Sequence, residues 1–374
     1  MTRVGGLIAA VAAMAMAVAG CAADDAAPGD AAAVSGPAAA TPASDGESVG
    51  FLPSTHPDTP SSGGASVETV DPEADRTYQD AMGRMVTVPG RPEHIVALSE
   101  PTLDGLLALG LEPVGVTAGR GQAGVTNYLA DRLDPDVPVV AALAAPNYEA
   151  IAALAPDVIV VDGTSTSDPA TIELLDDIAP TVYVSDGGED WKTAFLALAV
   201  ALGTPDAGED VIAAYDEQIS WAKAELGGHL DETVSIVRWG LLAPALILQE
   251  LPPSRVIADL GFPRPPAQDR EGSGHSEPVS LEELALIDGD WMFFGTLGDA
   301  SGEGPGGSGE SNTGVAASEV ALERAEATPG FTALGAFESG HVVAVDGSAW
   351  MSAGGPIAAG LIVDDVVSAM VIDR

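Results

Sequence analysis

One short phrase is written twice in this chain, and it limits the possible folds more than any other feature. "NYEAIAALAPDVIVV" (Asn147–Val161) returns as "SLEELALIDGDWMFF" (Ser280–Phe294), with Glu149 on Glu282, Ile151 on Leu284, Leu154 on Ile287 and Asp157 on Asp290. Each copy places apolar residues at helical spacing and then runs into a short, unbroken apolar stretch, the pattern of a helix leading into a buried strand. The rhythm extends around the first copy: strand "HIVAL" (His94–Leu98), helix "PTLDGLLALG", strand "PVGVT", and later helix "ATIELLDDIA" and strand "TVYVS". It restarts as "TVSIVRWG", "PSRVIADLG", "SLEELALI", "DWMFFG", "TALGAF", "HVVAVD" and a final helix "PIAAGLIVDDVVSAMVI". Alternation of this kind builds parallel βαβ units. Between the two series lie two helices, "WKTAFLALAVALG" and a longer one opened by Pro205 and Asp206, with Val211, Ile212, Tyr215, Ile219 and Ala222 as its apolar stripe. The expected fold is therefore α/β, with two Rossmann-like α/β lobes over residues 71–188 and 229–374, joined over 189–228 by a long rigid α-helix. A chain of 374 residues is long enough for two cores. Helix and strand account for the apolar matches of the repeat, but they do not ask for a glutamate in each copy.

The beginning of the chain follows other rules. "MTRVGGLIAAVAAMAMAVAGC" has a basic start at Arg3, an apolar stretch from Val4 to Val18 and small residues before Cys21. That is the form of a secretory signal over residues 1–20, and small residues followed directly by cysteine resemble a bacterial lipobox, in which Cys21 carries the lipid. Cys21 is the only cysteine, so no internal disulfide can form. Residues 21–70 are dominated by Ala, Pro, Ser, Gly and acids, too few bulky apolar groups to offset chain entropy, and are expected to be a disordered tether. The expected location is extracytoplasmic, lipid-anchored to the cell membrane.

A formal net charge of −42 argues against nucleic acid as a partner, which would need basic patches. Cations are scarce, with Lys192 and Lys223 the only lysines, so an arginine beside a probable cleft gains weight. Motif matches give little. "GESVG" (Gly46–Gly50) has nucleophile-elbow spacing but falls in the tether. "GRGQAG" (Gly119–Gly124) fits a dinucleotide fingerprint and leaves a nucleotide-dependent enzyme as an alternative, although no clean helix opens at Gly124. Asp299–Glu310 has the spacing of a calcium loop without its apolar residue, and reads as an acidic surface loop. His56, His94, His229, His275 and His341 have no spaced His or Cys partner, so neither a metal site nor a histidine-based catalytic group is expected. No enzyme constellation remains.

"DAMGRMVTVPGRPEHIVALSEPTLDGLLALGLEPVGV" with "PNYEAIAALAPDVIVVD", then "PSRVIADLGFPRP", "SLEELALIDGDWMFF" and "PGFTALGAFESGHVVAVDGSAW", are collinear with and similar to the iron–siderophore and cobalamin substrate-binding proteins of ABC importers. The resemblance runs from about residue 76 to the end. It implies a monomer with a shallow ligand cleft between the lobes, no cofactor of its own, and iron arriving within the siderophore. It further implies docking of the ABC permease dimer at one glutamate per lobe, here Glu149 and Glu282, with Glu283 as a neighbour able to share the role. Because ligands of α/β lobes lie at strand carboxyl ends, the expected ligand-binding residues are Ser99, Glu100, Arg120, Arg238, Trp239 and Trp350, with Tyr128 a further candidate. Arginines would meet chelate oxygens and aromatics would stack on the organic parts. Glu100 in the cleft favours a neutral or cationic ferric hydroxamate over an anionic chelate. Cobalamin or haem is the alternative cargo, haem requiring Tyr128 or His275 in the cleft.

Overall fold

Both copies of the repeated phrase fold as a helical segment leading into a strand, and the two strands belong to different sheets. The computed structural model describes residues 74–142, 145–241, 243–272, 276–298 and 312–372. All of these lie in one compact unit, Val67–Arg374. The signal sequence, Cys21, the tether with "GESVG" and His56, His275, and the Asp299–Glu310 loop lie outside the described residues.

The described residues open with a hairpin, β1 (Arg76–Gln79) and β2 (Met85–Val88), that the sequence pattern did not flag. The first sheet contains β3 (Ile95–Ala97), β4 (Pro113–Thr117), β5 (Val139–Ala142), β6 (Ala145–Pro146), β7 (Val158–Val161) and β8 (Thr181–Tyr183). Its order is β6-β5-β4-β3-β7-β8, parallel throughout except at β6. The second sheet contains β9 (Val234–Trp239), β10 (Pro244–Ile247), β11 (Ser276–Pro278), β12 (Trp291–Gly295) and β13 (Val342–Ala344), in the order β11-β10-β9-β12-β13. It is mixed rather than parallel. After Trp239 the chain turns back within a few residues, Gly240 N donating to Ala243 O at 3.1 Å, so β10 runs antiparallel to β9.

The helices are α1 (Glu100–Ala108), α2 (Asn127–Ala130), α3 (Tyr148–Ala153), α4 (Pro169–Asp176), α5 (Trp191–Ala201), α6 (Pro205–Leu226), α7 (Pro252–Leu260), α8 (Val315–Glu326), α9 (Gly335–Glu338), α10 (Gly347–Trp350) and α11 (Pro356–Val367). The sequence periodicity located α1, α3 to α7 and α11, each with the start signal it needs. Ser99 caps α1 in a reciprocal capping box with Thr102, and Asn147 caps α3 by accepting from Ala150 N at 3.1 Å. The second copy of the phrase is not an α-helix. Leu281–Ile287 is a 3-10 segment interrupted at Glu283 (φ −115°, ψ 26°). Its two buried residues, Leu284 and Ile287, stand three apart, which a three-residue turn aligns on one side.

The aligned aspartates have one shared structural purpose. Asp157 accepts from the backbone N–H groups of Glu93 and His94, at 2.8 and 2.9 Å, just before β3. Asp290 accepts from Thr233 N and Oγ1, both at 2.7 Å, just before β9. Each carboxylate thus ties the start of its own strand to the start of the parallel neighbour, which satisfies orphan donors at the amino ends of the strands.

Each sheet is packed on both faces. The first lies between a cluster containing Leu103, Leu106, Val116, Val160 and Leu198 and another containing Val96, Ile151, Ile159 and Leu175. The second lies between Ile236, Phe293, Trp350 and Ile362 on one face and Val237, Trp239, Phe294 and Phe331 on the other. The 22-residue α6 packs against α5, α7 and α11, burying Gly208, Tyr215, Ile219, Ala222 and Leu226.

Candidate ligand site

The carboxyl ends of β4 and β9, on different sheets, bring two arginines together. Arg120 follows β4. Its backbone N donates to Glu100 Oε1 at 3.1 Å, its Nη2 donates to Thr164 O at 3.3 Å, and its side chain remains 32% exposed. Arg238 is next to last in β9, and its Nη2 donates to the hydroxyl of Ser276. Burial, and then the positive charge of Arg120, hold the Arg238 guanidinium below its ordinary range. Among the described residues no carboxylate pairs with Arg238, and the carboxylate nearest Arg120 is Glu100, with Oε2 3.9 Å from Nε. Two guanidinium groups within reach of each other's charge and with so little compensation have the chemistry to accept an oxygen-rich anion.

Beneath the arginines, polar groups join the surroundings of one sheet to those of the other. Glu100 is 7% exposed, and Ser352 Oγ donates to its Oε2 at 2.5 Å. Tyr128 OH donates to Asp104 Oδ2 at 2.9 Å, while Ile357 N and Ala358 N, in the first turn of α11, donate to the same carboxylate at 2.9 and 3.0 Å. Asp104 therefore caps α11 from the side of α1, a charge-assisted arrangement favoured by the helix dipole. The approach requires glycine at 355, where a Cβ would stand 2.7 Å from Asp104 Oδ1. Asn127 Nδ2 donates to Asp346 Oδ2 at 2.5 Å, and Tyr128 N donates to Ser348 Oγ at 3.2 Å. Ser99 is buried, its hydroxyl accepting from Thr102 N at 3.3 Å as the cap of α1. Burial, reinforced by the negative charge of Asp104, pushes the Tyr128 phenol well up, so it stays a neutral donor.

The aromatic candidates are core residues. Trp350 is fully buried, stacked on Phe293 (centroids 4.6 Å, 10°), with Nε1 donating to Asp365 Oδ2 at 2.8 Å. Trp239 is 7% exposed and packs on Phe294 (5.6 Å, 30°) and edge-on to Phe331 (5.4 Å, 81°). In this conformation neither ring presents a face to a ligand, because indole burial is what the second sheet uses to fill its two layers. Trp350→Phe is accordingly expected to lower unfolding stability by about 1–3 kcal/mol in urea titration, from the lost bond to the half-buried Asp365 carboxylate. Chelate affinity by calorimetry should be unchanged, and a large affinity loss with little stability loss would return Trp350 to the ligand.

The "GRGQAG" stretch closes on itself. Gly119 N donates to Gly124 O at 2.8 Å and Gln122 N to Gly119 O at 2.9 Å. A Cβ on Gly121 (φ 71°) would overlap the Leu297 carbonyl oxygen, and the next helix, α2, begins only at Asn127. The loop has neither the helix N-terminus nor the open backbone that a pyrophosphate needs.

A family model described as "Periplasmic binding protein" matches residues 95–349, more than half of the chain. The chain belongs to this family. It is a family of substrate-binding proteins, not of enzymes. The "Probable siderophore-binding lipoprotein YfiY" of Bacillus subtilis is 30% identical over 82% of this chain and 91% of its own length. The "Fe(3+)-citrate-binding protein YfmC" of the same organism is 28% identical over 59% of this chain and 68% of its own. Among solved structures, Staphylococcus aureus SirA complexed with staphyloferrin B superposes with a TM-score of 0.65 at 22% identity, covering 79% of this chain and 98% of that one, which establishes the shared α/β fold.

In this periplasmic binding protein Glu149 and Glu282 are both exposed, each in the first turn after its cap, and neither forms an ion pair among the described residues. No helix among the described residues is long and apolar enough to cross a membrane. Sequence reasoning missed Asp104, Asp162, Thr164, Ser276 and Ser352. Asp104 had a signal, an acid beside Leu103 on the buried face of α1, and so did the paired glycines before Pro356. The others are small or short polar residues in loops and carry none.

Stability depends on pH through carboxyls whose charge is disfavoured by burial, the buried Asp104 and Asp162 and the half-buried Asp365. Burial pushes Asp162 up to about 6, against hydrogen bonds from Thr164 and Ser99, and pushes Asp365 up to about 6 against the bond from Trp350. Both lie above the unfolded value, so their stabilising contribution is complete at low pH and is lost as pH rises through about 6. Acidification from pH 7.5 to 5 is expected to raise unfolding stability by about 2–3 kcal/mol, read from urea midpoints. Relief of self-repulsion acts in the same direction. Below the carboxylate range the trend reverses, since Asp157 and Asp290 are held low by their backbone donors and are lost as pH falls. A flat profile between pH 5 and 7.5 would refute the assignment.

Proposed function

We propose that this protein is the extracytoplasmic substrate-binding component of an ABC importer, carrying a ferric siderophore or similar ferric chelate to the permease. The observation that carries this reading is the Arg120–Arg238 pair, supplied by strand ends of two different sheets and lacking close compensation. The two sheets with their helices act as lobes, the chelate lies between them, and α6, within the connecting segment 189–228, is the stiff strut that keeps closure small. Names of relatives support the cargo class, YfiY being named for siderophore binding and YfmC for Fe(3+)-citrate. The iron comes with its own ligand shell, so the protein needs no metal ligands. In keeping with the relative named a lipoprotein, Cys21 is proposed to anchor the mature monomer to the cell membrane.

The chelate chemistry follows from where Glu100 points its charge. The expectation of a hydroxamate depends on Glu100 facing the cleft. Glu100 is instead buried, with one oxygen on Arg120 N and the other on Ser352. The exposed chemistry is then guanidinium, and it suits a chelate with outward anionic oxygens, carboxylate or catecholate, better than a neutral ferric trihydroxamate. Haem finds no ligand in Tyr128, whose hydroxyl is committed to Asp104.

Titration with ferric citrate, a ferric triscatecholate, a neutral ferric trihydroxamate, haem, cobalamin and NAD tests the function. Submicromolar binding of at least one iron chelate is expected. Binding of NAD or cobalamin with no response to any iron chelate would overturn it.

A further inference from the structure

The carboxylate that ought to neutralise Arg120 is held away from it by the other side of the molecule. Glu100 and Arg120 are close enough to form an ion pair, yet they do not make one of hydrogen-bonded geometry. The nearest approach, Nε to Oε2, is 3.9 Å, and Nε is buried without a hydrogen-bond partner among the described residues. A buried guanidinium nitrogen beside a buried carboxylate normally closes that gap, since a charge-assisted bond at 2.7–2.9 Å is roughly twice as strong as a neutral one. Both oxygens of Glu100 are already occupied. Oε1 accepts from Arg120's own backbone N at 3.1 Å, and Oε2 accepts from Ser352 Oγ at 2.5 Å. Ser352 is 2% exposed and lies between α10 and α11, in the part of the chain that packs around the second sheet, whereas Glu100 opens α1 beside the first. The hydrogen bond therefore crosses from one side to the other, 252 residues apart in sequence.

We propose that Ser352 is a specificity-determining residue of the chelate site: by engaging Glu100 it keeps that carboxylate off the Arg120 guanidinium and leaves the guanidinium available to an anionic chelate. The inference rests on the ferric-chelate reading above and deepens it. Because Ser352 reaches Glu100 only when the two sides are apposed, the charge offered to the ligand depends on their apposition. When they separate, Glu100 is free to turn onto Arg120, the guanidinium is engaged in a hydrogen-bonded ion pair, and the chelate is less strongly held. Capture is thereby strongest in the apposed state, and parting the two sides weakens the hold on the cargo beyond the loss of the contacts that span them. Ser352 itself touches no ligand. Its role is to position Glu100.

The test is the salt dependence of binding, measured with whichever of ferric citrate, a ferric triscatecholate and a neutral ferric trihydroxamate bind the wild type. Absence of binding by all three would refute the ferric-chelate reading itself, and the inference with it. With binding established, Ser352→Ala is expected to weaken an anionic chelate about tenfold and to flatten the slope of log Kd against log salt, as expected when one cation of the site is masked. Neutral-chelate affinity should change less than about twofold. Glu100→Gln is expected to tighten the anionic chelate, and Glu100→Gln in the Ser352→Ala background should restore wild-type affinity or better, because an uncharged amide cannot mask Arg120. A purely structural role for Ser352 would make the double variant worse than either single one. That outcome, or an unchanged salt slope in Ser352→Ala, would overturn the proposal.

Discussion

Replacing Arg120 and Arg238 together by alanine is expected to lower affinity for an anionic ferric chelate by about 10²–10⁴-fold, since each charge-assisted contact contributes roughly 1.5–3 kcal/mol. Calorimetric titration of the double variant against wild type measures this directly. The same change should not destabilise the fold. Arg238 is half-buried, its charge is disfavoured by burial and by Arg120, and its one hydrogen-bonding partner by side chain among the described residues is a serine. Removing a partly buried like-charge pair relieves both costs, so the thermal midpoint is expected to stay level or rise. Loss of binding with unchanged or higher stability is the signature of groups kept for a ligand. Lysine at both positions should recover only part of the affinity, because an ammonium keeps the charge but lacks the planar fork that engages two oxygens. An affinity change below about threefold in the double alanine variant would show that the chelate sits elsewhere.

The architecture was legible in the sequence wherever burial writes a period. β3, β4, β7 and β8 are unbroken apolar runs, and α5, α6 and α11 carry apolar stripes, because a sheet covered on both faces leaves little choice. The hairpin β1–β2 escaped because its exposed and covered residues alternate over only four positions per strand. The antiparallel turn into β10 escaped for a different reason. Gly240 is followed by Leu241, a leucine where a solvent-facing hairpin would normally show Asn or Gly, so the turn left no mark.

The site was half legible. Arg120 and Arg238 could be placed because strand carboxyl ends are where α/β proteins bind ligands and because cations are rare in this chain. The tryptophans could not be sorted, since a ring that stacks on a ligand and a ring that stacks on Phe293 look alike in sequence. Glu100 follows its strand as the sequence reading has it, but its two hydrogen bonds, to Arg120 N and to Ser352, depend on a contact 252 residues away. Geometry of that kind is settled only by the packed molecule.

A second large effect is expected at two exposed glutamates. Glu149→Ala with Glu282→Ala should leave ferric-chelate affinity and thermal stability at wild-type values and yet reduce iron uptake at least about tenfold, in cells where this is the sole binding protein for the permease. The repeated phrase supplies the reason. Its aspartates are accounted for inside the molecule, since Asp157 and Asp290 each hold the backbone entering a neighbouring strand. Its glutamates are not, because both are exposed and neither forms an ion pair among the described residues. A first-turn glutamate can steady a helix through its dipole by about 0.3–1 kcal/mol. That account serves Glu149 in α3 but hardly Glu282, which sits in a broken 3-10 segment with little dipole to complement. What the two positions share is an exposed carboxylate one residue into a capped turn, once beside each sheet. Two equal charges presented in this way match a partner with two-fold symmetry and one cationic socket per half. Glu283 adjoins the second and should give partial cover, so the triple variant is expected to be the most severe and each single variant intermediate. Charge reversal to lysine at both positions should abolish uptake completely, as like charges would then face each other across the interface. Uptake within about twofold of wild type in the double alanine variant would leave these glutamates as helix-end residues and place the docking surface on another face.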